Sequence, residues 1–226
     1  MKRHLALLGL VAAIALPGIA CAADLIVDEA PLQSIDETAW DWSGLYIGAH
    51  AGYAWGEAGV IESPDNIVGD ISGPIIGVFG GVNFQEGGLV YGLEGDAGIA
   101  DVAGVGVPVI DPEEDYSYDL NWNAHARGRV GFATGQLLVF AAGGLAVASH
   151  TLSEEYDGGG VGSDTQVHVG WTIGAGLELA LTDNVAVRAE YLYDDYGTKT
   201  YRFENAETYD AFLTAHTVRV GVSVGF

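Results

Sequence analysis

Seven segments of the chain alternate apolar side chains with polar or small ones, and this period of two constrains the fold more than any other feature. An eighth segment, Leu137–Ala148, is apolar on both faces. Successive side chains of a β-strand point to opposite faces, so each segment is predicted to form a strand. The segments are Leu45–Trp55, Pro74–Gln85, Leu89–Ile99, Leu120–Phe132, Leu137–Ala148, Val167–Leu177, Val185–Tyr193 and Val218–Phe226. Long helical patterns are missing, and the sequence therefore predicts an all-β protein of eight antiparallel strands.

The connections between these segments alternate between short and long. The short ones are Glu86–Gly88, Thr134–Gln136 and Leu181–Asn184. The long ones run over Glu57–Ser72, Asp101–Asp119, Ser149–Gln166 and Asp194–Leu213. This alternation is typical of an up-and-down transmembrane β-barrel, with short turns on the periplasmic side and longer loops outside.

The N-terminus has the pattern of an export signal. Lys2 and Arg3 precede an apolar stretch, Leu5–Leu16, and small residues follow at Ala20–Ala22. We expect residues 1–22 to form a cleaved signal peptide, residues 23–41 a periplasmic lead segment, and residues 42–226 the barrel. Lipidation of Cys21 is an alternative, although Gly18 stands where that motif usually has Leu.

Beyond this stretch the chain has no run of 18 apolar residues, so no transmembrane helix is expected. A bilayer can then be crossed only by a closed barrel, because every backbone polar group must be paired in lipid.

One face of the predicted strands is apolar and carries almost no charge, whereas the other is rich in glycine and in opposed charges. We predict that the polar face lines a narrow lumen, where buried charges must be paired. The predicted ion-pair network consists of Glu94, Asp96, Glu178 and Glu190 with Arg127, Arg129, Arg188 and Arg219. The apolar face would contact lipid, and its aromatic residues resemble an interfacial girdle. These are Tyr53, Trp55, Trp122, Phe132, Tyr191 and Tyr193.

The formal net charge of −23 argues against nucleic acid and against anionic lipid surfaces as partners. Outer-membrane lipid and lipopolysaccharide are the expected surroundings of the apolar face, with the acidic residues confined to loops and lumen. Peptidoglycan and host ligands are alternative partners for the loops.

Several motifs, taken in their order along the chain, resemble the small alphaproteobacterial outer-membrane β-barrels, the porin-like surface proteins related to the outer-membrane-protein-A barrel. The motifs are Trp42–Gly48, Tyr91–Asp96, Arg127–Gly131, Gly143–Ala146, Gly174–Glu178, Arg188–Tyr193 and Val218–Phe226. The resemblance covers nearly all of the chain after the signal. It implies an eight-stranded outer-membrane barrel whose terminal Phe226 is recognised by the barrel-assembly machinery. The acidic run Asp111–Asp115 departs from the family pattern.

The resemblance implies a role in envelope integrity and surface interactions. The alternatives are a narrow porin-like channel for small solutes, a haem- or ligand-binding surface barrel, and a soluble periplasmic ligand-binding barrel. His50, His125 and His168 fall on the polar face, but the histidines lack metal-ligand spacing, and hydrogen-bonded packing is the simpler interpretation. No catalytic arrangement is readable, so we expect neither an enzyme nor a bound cofactor.

Overall fold

The computed structural model describes residues 40–61, 67–106, 115–156, 160–202 and 208–226. Eight β-strands account for nearly all of them. They are β1 (Gly44–Ile61), β2 (Ile67–Glu86), β3 (Leu89–Gly106), β4 (Asp115–Thr134), β5 (Leu137–Tyr156), β6 (Gly160–Thr182), β7 (Val185–Arg202) and β8 (Thr208–Gly225). In the described parts of the chain there is no helix long and apolar enough to cross a membrane.

The strands close into a barrel, because each pairs antiparallel with the next and β8 returns to β1. The closing register runs from Tyr46 opposite Gly225 to Ile61 opposite Asp210. Closure leaves no strand edge unpaired, as a bilayer requires. The predicted fold class, an eight-stranded antiparallel up-and-down barrel, is confirmed.

Tight turns join the strands at one end, which we call the short-turn end. Gly87 and Gly135 have φ angles of 60° and 55° in two of these turns, a conformation that glycine adopts without strain. Both lie within connections that the sequence predicted to be short.

The strands are longer than the sequence predicted, with 18 to 23 residues each. The predicted long connections are therefore wrong at their ends, because the residues that adjoin the predicted strands continue those strands. Glu57–Ile61, for example, continues β1, and Asp194–Arg202 continues β7. Residues 62–66, 107–114, 157–159 and 203–207, which link strands at the end opposite the short turns, lie outside the described residues, as does most of Asp111–Asp115.

The faces of the strands change polarity along the barrel, and this change explains the error. Near the short-turn end, apolar side chains point outward, as at Leu45 and Ile47, which are 63% and 57% exposed. Towards the opposite end the outward residues become polar and the inward residues become apolar, as at Ala58 and Val60, which are buried. An apolar exterior suits lipid, and an apolar interior with a polar exterior suits water. The half of the barrel nearest the short turns therefore has an exterior suited to lipid. The opposite half, which we call the outer half, has an apolar interior and a polar exterior like those of a soluble protein.

Candidate functional site: a closed lumen

The eight predicted network residues all point into the lumen, and the structure brings them together. Strand register places three opposed pairs side by side: Glu94 opposite Arg127, Glu178 opposite Arg188, and Glu190 opposite Arg219. Each of the eight side chains is almost fully buried. Neighbouring strands thus supply complementary charges to one layer of the interior.

Further ion pairs cross the lumen between strands that are not neighbours. Arg127 Nη1 lies 2.7 Å from Glu190 Oε1, and Arg188 Nη2 lies 2.6 Å from Glu94 Oε2.

Two more pairs also cross the interior. Arg219 Nη1 lies 2.9 Å from Asp96 Oδ1, and Arg129 Nη2 lies 2.8 Å from Glu178 Oε1. The network therefore ties opposite walls of the barrel together and fills its cross-section.

Three members of this network were not predicted. His125 places Nδ1 2.8 Å from Asp96 and Nε2 3.3 Å from Asp194. The Tyr46 hydroxyl donates to Glu94 at 2.7 Å and accepts from Arg129 at 2.9 Å. His125 was assigned to the polar face, and Tyr46 alternates with the apolar Leu45 and Ile47, which was the available signal. Asp194 was missed because it was placed in a loop.

The network contains an odd number of carboxylates. Glu94, Asp96, Glu178, Glu190 and Asp194 face only four arginines. Nδ1 and Nε2 of His125 both lie near carboxylate oxygens, although only the Nδ1 contact has hydrogen-bond geometry. A charged imidazole in this position would balance the fifth carboxylate.

Aromatic rings complete the charged layer. The guanidinium of Arg188 lies 4.2 Å from the ring centre of Phe79, and that of Arg129 lies 4.3 Å from the ring centre of Phe140. Such contacts stabilise a desolvated cation. A Cβ at Gly48 would lie 2.4 Å from Phe79 Cζ, so the absent side chain lets this ring pack against the wall.

An apolar cluster lies in the lumen at the short-turn end. It includes Trp42, which is only 7% exposed although it precedes β1, and a cavity of about 340 Å³ beside Trp42 reaches Tyr46 and Glu178. Its backbone N–H donates to Gln85 Oε1 at 2.7 Å, and its indole N–H donates to the carbonyl of Gly135 at 3.4 Å. The other members of the cluster are Val90, Leu138, Phe140, Ala142, Ala180 and Ala186.

A larger apolar cluster fills the opposite half. It is built mainly from small and aliphatic residues and includes Tyr118, Tyr196 and Tyr201. Within it the Tyr201 hydroxyl lies 2.6 Å from His150 Nδ1 and 2.7 Å from His168 Nε2. Burial raises the pKa of this hydroxyl, so it stays protonated and bridges the two imidazoles.

The histidines considered as ligands have other contacts. His50 Nε2 lies 3.3 Å from Arg219 Nη1, His125 is ion-paired, and His168 contacts Tyr201. Among the described residues, no three His, Cys, Asp or Glu side chains are grouped so as to hold a metal ion. The haem- or ligand-binding alternative gains no support from these positions.

The predicted girdle residues point outward. Tyr53, Trp55, Trp122, Phe132 and Tyr191 are between 39% and 63% exposed, and Tyr193 is half-buried. Phe84, Tyr91, Trp171 and His216 join them on the outer face and were not predicted as girdle members. Phe226 is 80% exposed, and its backbone N–H donates to the Leu45 carbonyl at 2.8 Å.

The closed barrel with an apolar outer band agrees with the relatives of the chain. Residues 6–226 match the family model described as an outer membrane protein beta-barrel domain. The chain belongs to this family. Family membership places the protein in the outer membrane. Short turns of such barrels face the periplasm, so we expect the opposite half of this barrel to face the exterior.

Several curated relatives have similar lengths. The chain is 32% identical to the 25 kDa outer-membrane immunogenic protein of Brucella abortus over 230 residues, covering 99% of this chain and 100% of the relative. It is also 32% identical to the 22 kDa outer membrane protein of Rhizobium leguminosarum, covering 88% of this chain and 82% of the relative. The resemblance to alphaproteobacterial outer-membrane barrels is confirmed.

Solved structures support the fold. The outer membrane protein OprG from Pseudomonas aeruginosa matches with a TM-score of 0.53 at 11% identity, covering 81% of this chain and 97% of that one. At this identity the likeness shows the fold and says nothing about activity. A soluble periplasmic barrel, one of the alternatives, is contradicted by the outer-membrane family and by the outward-facing apolar band.

Proposed function

We propose that the protein is a non-conducting structural barrel of the outer membrane that supports envelope integrity and presents its outer rim for surface interactions. One observation carries this proposal. The ion pairs of the network cross the lumen, and an apolar cluster lies on each side of the network. At the short-turn end a cavity of about 340 Å³ beside Trp42 reaches Tyr46 and Glu178, so a hydrated ion entering there would stop at the charged layer.

The charged layer itself favours closure. Each guanidinium of the network faces carboxylates, so a passing ion would have to displace short charge-assisted hydrogen bonds. Eight strands also enclose an interior that is only wide enough for side chains. Both properties favour a structural role over the narrow porin-like channel.

The test is conductance of the purified, refolded barrel in a planar lipid bilayer. We expect no stable openings in 1 M KCl, whereas a known porin in the same bilayers serves as the positive control. Reproducible, salt-dependent openings would contradict the structural proposal and support the channel.

The envelope role is tested in the native host. Deletion of the gene is expected to increase sensitivity to detergents, and the full-length chain is expected to restore resistance. Unaltered detergent sensitivity in the deletion strain would contradict the envelope role.

The names of the curated relatives describe location, size and immunogenicity and do not describe a reaction. We accordingly propose a structural protein and not an enzyme.

The cleavable signal over residues 1–22 and the recognition of Phe226 by the assembly machinery stay predictions. N-terminal sequencing of envelope protein tests the first, and assembly yield of a Phe226→Ala variant tests the second. Binding of peptidoglycan or host ligands also stays a prediction.

A further inference from the structure

Three polar side chains are buried together among the apolar residues of the outer half. His150 on β5 and His168 on β6 both contact the hydroxyl of Tyr201 on β7, at 2.6 Å and 2.7 Å. All three side chains are fully buried. A single hydroxyl therefore joins three strands of the outer half, and we call these three residues the histidine–tyrosine cluster.

The two imidazoles are packed mainly against uncharged side chains. Tyr118 on β4 stacks on His150, with ring centres 6.0 Å apart and ring planes 9° apart. Most other members of the surrounding apolar cluster are aliphatic or small, such as Val60 and Leu213. In the part of the chain that the structure describes, no ion pair includes His150 or His168. A positive charge on either ring would therefore be desolvated without a counter-charge in contact.

The charged side chains nearby belong to β6 and β7. Lys199 opposes a positive charge on His168, an effect that the backbone carbonyl of Tyr196 partly offsets. Asp164 acts on the hydroxyl of Tyr201. Neither charged group therefore pairs with an imidazole of the histidine–tyrosine cluster.

His150 has no acceptor for a second ring proton. Its Nδ1 contacts Tyr201, and its Nε2 is buried without a hydrogen-bond partner among the described residues. A charged imidazole donates from both nitrogens, whichever one carries the proton in the neutral ring, so Nε2–H would be a buried donor without an acceptor. Burial, and then the proximity of His168, lowers the pKa of His150 to about 3. The ring is therefore neutral at neutral pH while the outer half is closed.

The outer half has points at which its strand pairing can end. Irregularities of register interrupt three strand pairs near its boundary with the lipid-facing half, close to Val102, Trp122 and Thr198. The ion pair between Glu94 and Arg127 lies on the other side of these irregularities. Pairing can therefore be lost in the outer half while the charged layer of the lumen stays intact.

We propose that the histidine–tyrosine cluster is an acid-sensitive latch, which holds the outer half closed at neutral pH and releases it when the surrounding solution is acidified. Opening exposes the imidazoles to water, where they accept protons below about pH 6.5. Because the opened form binds protons that the closed form excludes, the outer half is fully stable above about pH 6.5 and loses stability as the pH falls towards about 3. The proposal goes beyond the structural role of the barrel and does not depend on it.

The experiment is backbone hydrogen exchange, measured by mass spectrometry on the refolded protein in phospholipid nanodiscs. Exchange of residues 148–153 and 198–202 is compared at pH 7.5 and pH 5 after correction for the intrinsic exchange rate. We expect the opened fraction to be about 30-fold larger at pH 5 for each titrating histidine, and therefore up to about 1,000-fold larger for the two. Residues 138–146, in the lipid-facing half, should stay protected at both pH values.

The matched variants replace each imidazole by a neutral amide of similar reach. His150→Asn and His168→Gln should each reduce the ratio between the two pH values about 30-fold, and the double variant should open equally at both. Tyr201→Phe keeps both imidazoles but removes their shared hydroxyl, so it should open more at pH 7.5 and keep a pH dependence. His216→Asn, which changes an imidazole on the outer face, should behave as the parent protein does.

Folding of each variant is verified at pH 7.5 by the difference in gel mobility between unboiled and boiled samples. Equal protection of the parent protein at pH 7.5 and pH 5 would overturn the proposal. So would an unchanged ratio in the double variant, because carboxylates would then cause the opening. If the double variant does not fold, the same comparison is decided by the two single variants.

Discussion

At the scale of single residues, the lumen depends on charges that share partners. Arg188 contacts both Glu94 and Glu178, and Arg127 contacts Glu94 and Glu190. Removing one member of a buried ion pair leaves the other charged and desolvated, which costs more than the pair itself contributes. The consequences of substitution therefore extend beyond the residue that is changed.

Arg129→Leu should destabilise the barrel by about 3–5 kcal/mol, because Glu178 loses a close partner and Tyr46 loses a donor. The measurement is the free energy of unfolding in urea with lipid vesicles present. Val130→Leu, one position along and facing outward at 52% exposure, is the control and should change stability by less than about 0.5 kcal/mol. An unchanged midpoint for Arg129→Leu would mean that its charge is not buried in the folded barrel.

The protonation of His125 can be tested by balancing charges. His125→Gln removes the ring that lies between Asp96 and Asp194 and should destabilise the barrel by about 3 kcal/mol, because both carboxylates lose a close partner. Adding Asp194→Asn removes one carboxylate and should restore part of that loss. If the double variant is no more stable than His125→Gln, the imidazole is neutral in the barrel.

At the scale of the strand, one part of each strand faces lipid and the other part faces water. β8 presents Val218, Val220 and Val222 outward at 48%, 60% and 51% exposure, while its first half buries Ala211 and Leu213. Along one strand the outward residues are therefore polar where water lies outside and apolar where lipid lies outside.

Arginine placed on the outer face of β8 should distinguish the two halves. Val220→Arg, within the apolar band, should destabilise the barrel by about 2–4 kcal/mol. Thr214→Arg, six residues nearer the start of the same strand, should have an effect of less than about 1 kcal/mol, since its neighbours are Glu57 and Asp195. An equal loss of stability in Val220→Arg and Thr214→Arg would show that lipid covers both positions.

The sequence was sufficient for the number of strands, their order and the short turns, because alternation is clear wherever lipid lies outside. It was insufficient beyond Trp55 or Tyr193, where polar residues on the outer face resemble those of a loop. Asp194 was lost from the predicted network for that reason. The position of Trp42 inside the lumen was not predictable either, because a single tryptophan before the first strand is not part of an alternating pattern.

At the scale of the whole molecule, the barrel has two independent closures. Trp42 lies in the periplasmic cluster, and the outer cluster around Tyr118 and Leu213 lies on the other side of the network. Loss of one closure leaves the network and the second closure in place.

Trp42→Ala should therefore remain non-conducting although it removes the largest side chain of the periplasmic cluster. Its stability should fall by about 3–5 kcal/mol, as expected for a buried tryptophan. Bilayer recordings and urea unfolding of the same preparation measure both effects. Channel openings in this variant would show that Trp42 alone seals the lumen.

The outer half of the barrel also sets a height. From Tyr193 to Arg202, β7 continues for nine residues. At a rise of about 3.3 Å per residue and a tilt near 40°, this stretch lifts the rim about 20 Å above the lipid. A peptide inserted between β7 and β8 would be carried on a rigid stalk, clear of the sugars nearest the membrane. The barrel is thus suited to displaying foreign sequences on a cell, since the insert and the membrane-embedded half would share no contacts.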